Sequence, residues 1–193
     1  MLVQFSISRV VMVTNYKEGN TVKCHRYLPT NVGQKLNFIF ANGDIKSVNV
    51  TLESQYTDNP LVCISFLKIQ SDKNGEQYCA HIQFRNWPDH GTPSINDLLA
   101  FISVVEGEKG STDLQASVLD RIKALCAIGN TKLPIVVHCS AGVGRTGTFI
   151  GSHFAKRYLE IFKPEDLDPD AILAYMRMSR RFMVQNQVIN ILP

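Results

Sequence analysis

Pro134-Ile135-Val136-Val137-His138-Cys139-Ser140-Ala141-Gly142-Val143-Gly144-Arg145-Thr146-Gly147 is the stretch on which the fold turns. Its first four residues form a short apolar, β-branched run and read as a buried strand. Beyond it, Thr148 to Phe162 holds no proline and keeps Phe149, Ile150, His153, Phe154, Arg157, Tyr158 and Ile161 at helical spacing, so a helix follows. A strand, a glycine-rich loop and a helix therefore put Cys139 at a strand end and Arg145 at a helix start. Ala141, Gly142 and Gly144 leave backbone N–H groups free to converge on one point. Converging amides at a helix N-terminus make an anion site, and a thiol held there is expected as a thiolate.

Working upstream, Arg9 to Thr14 reads as a central strand, and Asn15 to Asn20 as a polar turn. Val22 to Tyr27 suggests a second short strand stopped by Pro29. Lys35–Ala41 and Ile45–Leu52 alternate around Asn42-Gly43-Asp44, and Leu61–Ile69 and Gln77–Phe84 around Lys73-Asn74-Gly75, which predicts two hairpins. At Trp87-Pro88-Asp89-His90-Gly91-Thr92-Pro93 two prolines and a glycine enforce a loop. Ser94 reads as the N-cap of a helix running to about Glu106, and Leu114 to Ile128 as another helix ended by Gly129-Asn130. Asp168-Pro169 starts a last helix to about Met178. Hairpins first, then helices around one inserted strand, predict an α+β (α/β) fold with a mixed β-sheet flanked by helices, in a single domain over residues 1–193.

Composition narrows the class. Hydrophobic residues make up 45% and charged residues 19%, an ordinary globular mix, and a net charge of +3 gives no reason to expect nucleic acid. No apolar run reaches the length of a membrane span. Five cysteines, at 24, 63, 79, 126 and 139, lack any CxxC spacing, which favours neither a disulfide framework nor a zinc site and suggests a reduced, cytoplasmic protein.

Cys63, Cys79 and Cys126 read as structural thiols, whereas the glycines and Arg145 around Cys139 favour an activated nucleophile. Arg145 at the positive end of a helix dipole is expected to face an anion, and its planar guanidinium suits two phosphate oxygens. A thiolate attacking a phosphate monoester needs a proton donor for the leaving group. Asp89 is the candidate, though a turn-capping aspartate before Gly91 fits the spacing as well.

HCSAGVGRTG together with WPDHGTP resembles the tyrosine-specific protein tyrosine phosphatases. The resemblance extends through Arg9–Thr14, Glu18, Lys23-Cys24, Tyr27-Leu28-Pro29, Arg177, Arg181 and Met183-Val184-Gln185, nearly the whole chain in order. It implies that Cys139 forms a phosphocysteine intermediate. Ser140, Ala141, Gly142, Val143, Gly144 and Arg145 would bind the phosphoryl group, with Asp89 as acid and then base. It further implies that Thr146 steadies the leaving thiolate and His138 tunes it, and that Gln185 positions water. Glu18 would brace Arg145, and Lys23 would contact the WPD loop. No cofactor or metal is implied, and the partners would be phosphotyrosine-containing proteins or peptides. An uncharged Ser140–Gly144 stretch disfavours phosphoinositides, for which related enzymes carry lysines there. The family domain is longer at the N-terminus, where it recognises the tyrosine ring, and has a second glutamine where this chain has Ile189. The resemblance thus suggests a domain truncated at both ends, whose alternative role is an inactive module binding phosphorylated partners.

Overall fold

The computed structural model describes residues 1–88, 91–110, 112–129 and 131–185. Its centre is β1 (Arg9–Met12), four consecutive buried residues that run parallel to β7 (Gly75–Phe84) on one side and to β10 (Ile135–His138) on the other. From β7 the sheet continues antiparallel through β6 (Val62–Ser71), β5 (Ser47–Tyr56) and β4 (Lys35–Ile39). The expected hairpins are these pairs, and Gly43 and Gly75 at their turns take positive φ of 98° and 71°. The mixed sheet flanked by helices is the predicted fold class.

Residues on the two faces alternate as the pleat demands. Val11, Val13, Val62, Ile64, Phe66, Ala80, Ile82 and Phe84 point to one side. There α1 (Ile95–Val105), α2 (Ala116–Ala124) and α3 (Gly144–Leu159) cover them with Phe101, Ile102, Leu119, Ile122 and Phe149. Trp87, Phe84, Phe101 and Phe149 form an edge-to-face ladder with centroids 5.8, 4.8 and 5.5 Å apart. That packing adds to the burial energy and ties residue 87 to the first turns of α3. On the other face Val10, Leu52, Leu67, Ile69 and Cys79 cluster with Val3, Ile7 and Leu28, flanked by partly buried Tyr27, Ile45, Val48 and Val50. α4 (Pro169–Ser179) packs against α3.

Caps define the helices as the sequence predicts at two starts. Ser94 Oγ accepts from Asp97 N at 3.1 Å, and Asp168 accepts from the amides of Asp170 and Ala171. Three expectations need correction. Residues 22–27 are not a full strand, because only β3 (Thr21–Val22) pairs with β2 (Lys17–Glu18). The amides of Lys23 and Cys24 both turn back to Tyr16 O, at 3.0 and 3.3 Å. The second helix stops at Ala124, not Ile128. Leu125 and Cys126 close it with short-range bonds, and β8 (Ala127–Ile128) then pairs with β9 (Thr131–Lys132). Finally, α3 ends at Leu159 rather than Phe162, while its start at Gly144 puts Arg145 inside the first turn, as expected.

Candidate active site

Because β1, β7 and β10 are mutually parallel, their C-terminal ends lie at the same edge of the sheet. The chain leaving β1 reaches Glu18, the chain leaving β7 reaches Trp87, and the chain leaving β10 reaches Cys139. Loops at the carboxyl ends of parallel strands are where α/β sheets gather their ligands. Three segments far apart in sequence are therefore brought together by strand direction alone.

Cys139 sits at the mouth of α3, 8% exposed. Gly142 takes φ +72°, a turn that L side chains resist, and this folds its N–H back to donate to Cys139 Sγ at 3.2 Å. Thr146 Oγ1 donates to the same sulfur at 3.1 Å. Burial pushes the thiol pKa up, but the Thr146 hydroxyl and the amides of Thr146, Gly142 and Val143 outweigh it, and the net shift is downward. Among the described residues no side chain caps the helix, since Val143 at the N-cap position makes no side-chain cap bond. Among the described residues the Gly144 and Arg145 amides make no backbone bond, which leaves them for an anion. The other thiols behave oppositely, since burial raises Cys24, Cys63 and Cys126 and pushes Cys79 up to about 12. One cysteine of five is activated.

Arg145 is held from behind by Glu18. The two make a forked ion pair, Nη1 to Oε1 and Nη2 to Oε2 at 2.9 Å, with the Glu18 side chain 5% exposed. Thr14 Oγ1 donates to Glu18 Oε1 at 3.1 Å and accepts from Arg145 Nη1 at 3.3 Å. Burial raises the Glu18 pKa, but Arg145, the Asn15 amide and Thr14 bring it down to about 2. Arg145 Nη2 also donates to Pro88 O at 3.4 Å, and its guanidinium lies 5.9 Å from the Trp87 ring centre. The arginine thereby touches the loop after β7. Asp89 and His90 lie outside the described residues. Lys23 Nζ reaches Glu18 Oε2 at 4.0 Å, so the described contact of this lysine is with the brace.

Gln185 arrives from the far side. Arg177 donates to the carbonyls of Met183 and Val184 at 3.0 and 3.1 Å, and Val184 N donates to Val143 O at 3.1 Å. A Cβ on Gly147 would stand 2.5 Å from Val184 N, so only glycine admits this segment. A Cβ on Gly144 would meet Gln185 Oε1 at 3.4 Å, which places the amide of Gln185 beside the Cys139 loop. Phe182 and Val184 take φ of 65° and 58°, an expensive conformation for bulky residues, and such strain is held where the surroundings over-determine it. Arg180 adds a bond to Ala141 O at 3.3 Å. Ser140 and Ala141 are exposed at the rim. Ile189 lies outside the described residues.

Beneath the loop is a chain that sequence reasoning did not find. His138 Nδ1–H donates to Cys139 O at 3.1 Å, which leaves its Nε2 to accept from Tyr27 Oη. The Tyr27 oxygen in turn accepts from His81 Nε2 at 2.8 Å. Burial first, and then His138, lowers the His81 pKa to about 3, so its ring is neutral at physiological pH. A histidine inside the apolar strand run Cys79–Phe84 was the available signal. What it meets depends on the order of β7, β1 and β10, which no local pattern reveals.

A family model described as protein-tyrosine phosphatase matches residues 1–189. The chain belongs to the protein-tyrosine phosphatase family. It is 33% identical to human tyrosine-protein phosphatase non-receptor type 14 over 186 residues, covering 96% of this chain and 14% of that one. Tyrosine-protein phosphatase 2 of Dictyostelium discoideum is 31% identical, with 92% and 41% covered. Among solved structures, the protein tyrosine phosphatase of Trypanosoma cruzi superposes with a TM-score of 0.69 at 29% identity, covering 96% of this chain and 57% of that one. The catalytic domain of human protein tyrosine phosphatase non-receptor type 18 shares the fold at TM-score 0.72 and 23% identity. This chain thus spans little more than half of the solved phosphatase chains and a smaller share of the curated relatives. No helix among the described residues is long and apolar enough to cross a membrane.

Proposed function

We propose that this chain carries the catalytic centre of a phosphotyrosine phosphatase working through a phosphocysteine intermediate. The observation that carries the reading is the activated thiol: Cys139 Sγ accepts from Gly142 N and Thr146 Oγ1 while Glu18 holds Arg145 beside the same loop. The phosphoryl group sits over the α3 N-terminus, bound by the amides of residues 140–145 and by the Arg145 fork. Cys139 Sγ attacks phosphorus as the tyrosine oxygen leaves, and Asp89 gives that oxygen its proton. Water positioned by Gln185 then attacks the phosphocysteine, with Asp89 taking a proton from it. The leaving thiolate is stabilised by Thr146 Oγ1. His138 fixes the loop through the Cys139 carbonyl, and Lys23 supports the Glu18–Arg145 pair. The preorganised amides and guanidinium supply charge stabilisation in place from the start.

Phosphotyrosine-bearing proteins or peptides are the proposed partners. The five free thiols fit a reducing, cytoplasmic setting. Residues 1–193 are proposed to be one part of a single catalytic domain. Hydrolysis of an aryl phosphate tests the reading. Cys139→Ser is expected to reduce turnover to background, and Asp89→Ala to slow it by about 10²- to 10⁴-fold and flatten the pH profile. Equal turnover in the wild type and Cys139→Ser would overturn it.

A further inference from the structure

On the sheet face away from the helices, next to the polar ends of β6 and β7, lies a second hollow of about 460 Å³. Its floor is Cys63, Ser65, His81 and Gln83, and its rim carries Lys17, Arg26 and Arg85. No carboxylate lines it among the described residues. Arg26 stacks on Tyr16 with its guanidinium 4.9 Å from the ring centre, and Arg85 Nη1 donates to Thr57 O at 2.7 Å. Neither guanidinium has an ion-pair partner among the described residues, so each is positioned by a neutral group and keeps its charge unbalanced. Both act on the Cys63 thiol, which burial raises and Arg85 and Arg26 lower, so the two charges bear on one point inside the hollow. Cations converging on a polar recess with no counter-charge focus their field there.

We infer that this recess is an oxyanion-binding site, separate from the Cys139 loop, in which Arg26 and Arg85 grip a phosphate group. Planar guanidiniums match two oxygens of such an anion, and the Ser65 hydroxyl, which accepts from Gln55 Nε2 at 3.0 Å, keeps its own O–H to donate at the floor. The wall includes Asn15, whose side chain donates to Arg85 O and whose backbone N–H donates to Glu18 Oε1, each at 3.3 Å. An occupant therefore touches a residue that contacts the Arg145 brace directly. The inference rests on this geometry and holds whether or not the chain turns over phosphotyrosine.

Amide NMR of the whole chain during titration with inorganic phosphate separates the two sites. Residues 15, 26, 63, 83 and 85 are expected to shift as one group, and residues 140–146 as another. Arg26→Ala with Arg85→Ala is expected to weaken the first group's apparent affinity by about tenfold or more and leave the second unchanged. Arg145→Ala is expected to do the reverse. Added salt is expected to weaken the recess, and Arg26→Lys with Arg85→Lys to keep part of its affinity. A phosphoserine peptide run in parallel identifies the source of the phosphate: shifts with both probes mean that free phosphate suffices, and shifts with the peptide alone mean a phosphorylated chain. If residues 15, 26, 63, 83 and 85 stay still with both probes, or still move in the double-alanine variant, there is no such site.

Discussion

The two faces of the sheet are built from the same strands and end up chemically different. On the helix-covered face the alternate residues nearest the Cys139 edge are apolar, from Val11 and Val13 through Ile64 and Phe66 to Ile82 and Phe84. On the other face Leu67, Ile69 and Cys79 give way, toward the same edge, to Ser65, Cys63, His81 and Gln83. A groove of about 830 Å³, lined by Val10, Leu28, Phe38, Phe40, Val48, Val50, Leu67 and Ile69, leaves apolar surface open there. The covered face supplies rigidity and anchors Trp87 and α3. The other face supplies the polar groups, His81 and Gln83, that reach Tyr27 and Asn15 under the site. Stability and fine positioning are therefore separable, and substitutions on the two faces should read out differently.

The largest contrast is in stability. Phe101 is fully buried on the covered face, and Phe101→Ala is expected to cost about 3–5 kcal/mol. Phe38 is 39% exposed on the open face, and Phe38→Ala should stay within about 1 kcal/mol. Urea unfolding of both variants measures the difference. Similar losses would mean that the open face is more completely packed than its geometry shows.

Next comes the edge where the faces meet. Glu18→Gln removes the charge that holds Arg145 and is expected to lower kcat/KM for an aryl phosphate by about 10²- to 10³-fold. A pH series gives an independent check. The Glu18 carboxyl is depressed from 4.5 to about 2 in the folded chain. Its stabilising contribution is therefore complete above about pH 4.5 and lost as the pH falls toward 2, and the glutamine variant should lack that part of the acid sensitivity.

A smaller effect isolates the polar part of the open face. His81 has its pKa lowered from 6.5 to about 3, so the unfolded chain takes up a proton there that the folded chain refuses. Stability from this group is present above pH 6.5 and declines as the pH drops toward 3. His81→Gln keeps a donor for Tyr27 but does not titrate. Its stability should fall less steeply over that interval, as followed by thermal melts.

Much of this architecture could be read from local patterns because local physics decides it. Asn42-Gly43-Asp44 and the glycine at 75 mark hairpins wherever they occur, and Ser94 and Asp168 mark helix starts with their own side chains. The reading failed where a tertiary bond overrode propensity. Lys23 and Cys24 turn toward Tyr16 instead of extending a strand, and Cys126 leaves its helix because Leu133 N claims its carbonyl. At the site, Cys139 and Arg145 lie in one contiguous stretch and were legible as a unit, whereas Thr146 followed only from resemblance. Thr14, Tyr27 and His81 were not legible as a unit, since their meeting depends on which strands run parallel. Glu18 and Gln185 were reached only through resemblance to a family.

The finest test returns to the thiol, where the two contributions to one pKa oppose each other. Burial of Cys139 raises its pKa, and the Thr146 hydroxyl with three amides lowers it further than burial raises it. The hydroxyl makes its bond to sulfur at 3.1 Å from a buried position, so no water is placed to replace it. Thr146→Val keeps the shape and removes only that donor. A hydrogen bond to a charged acceptor contributes about 1.5–3 kcal/mol, and the three amides remain to share the load. The Cys139 pKa should therefore rise by about one unit, since one unit corresponds to about 1.4 kcal/mol. Iodoacetamide alkylation against pH measures it directly, with Cys139→Ser giving the background from the other thiols. A shift much larger than one unit would make the hydroxyl, not the amide cradle, the main source of activation. No shift would assign the activation to the helix N-terminus alone, and the α3 amides would then be the whole reason that one cysteine in five behaves as a nucleophile.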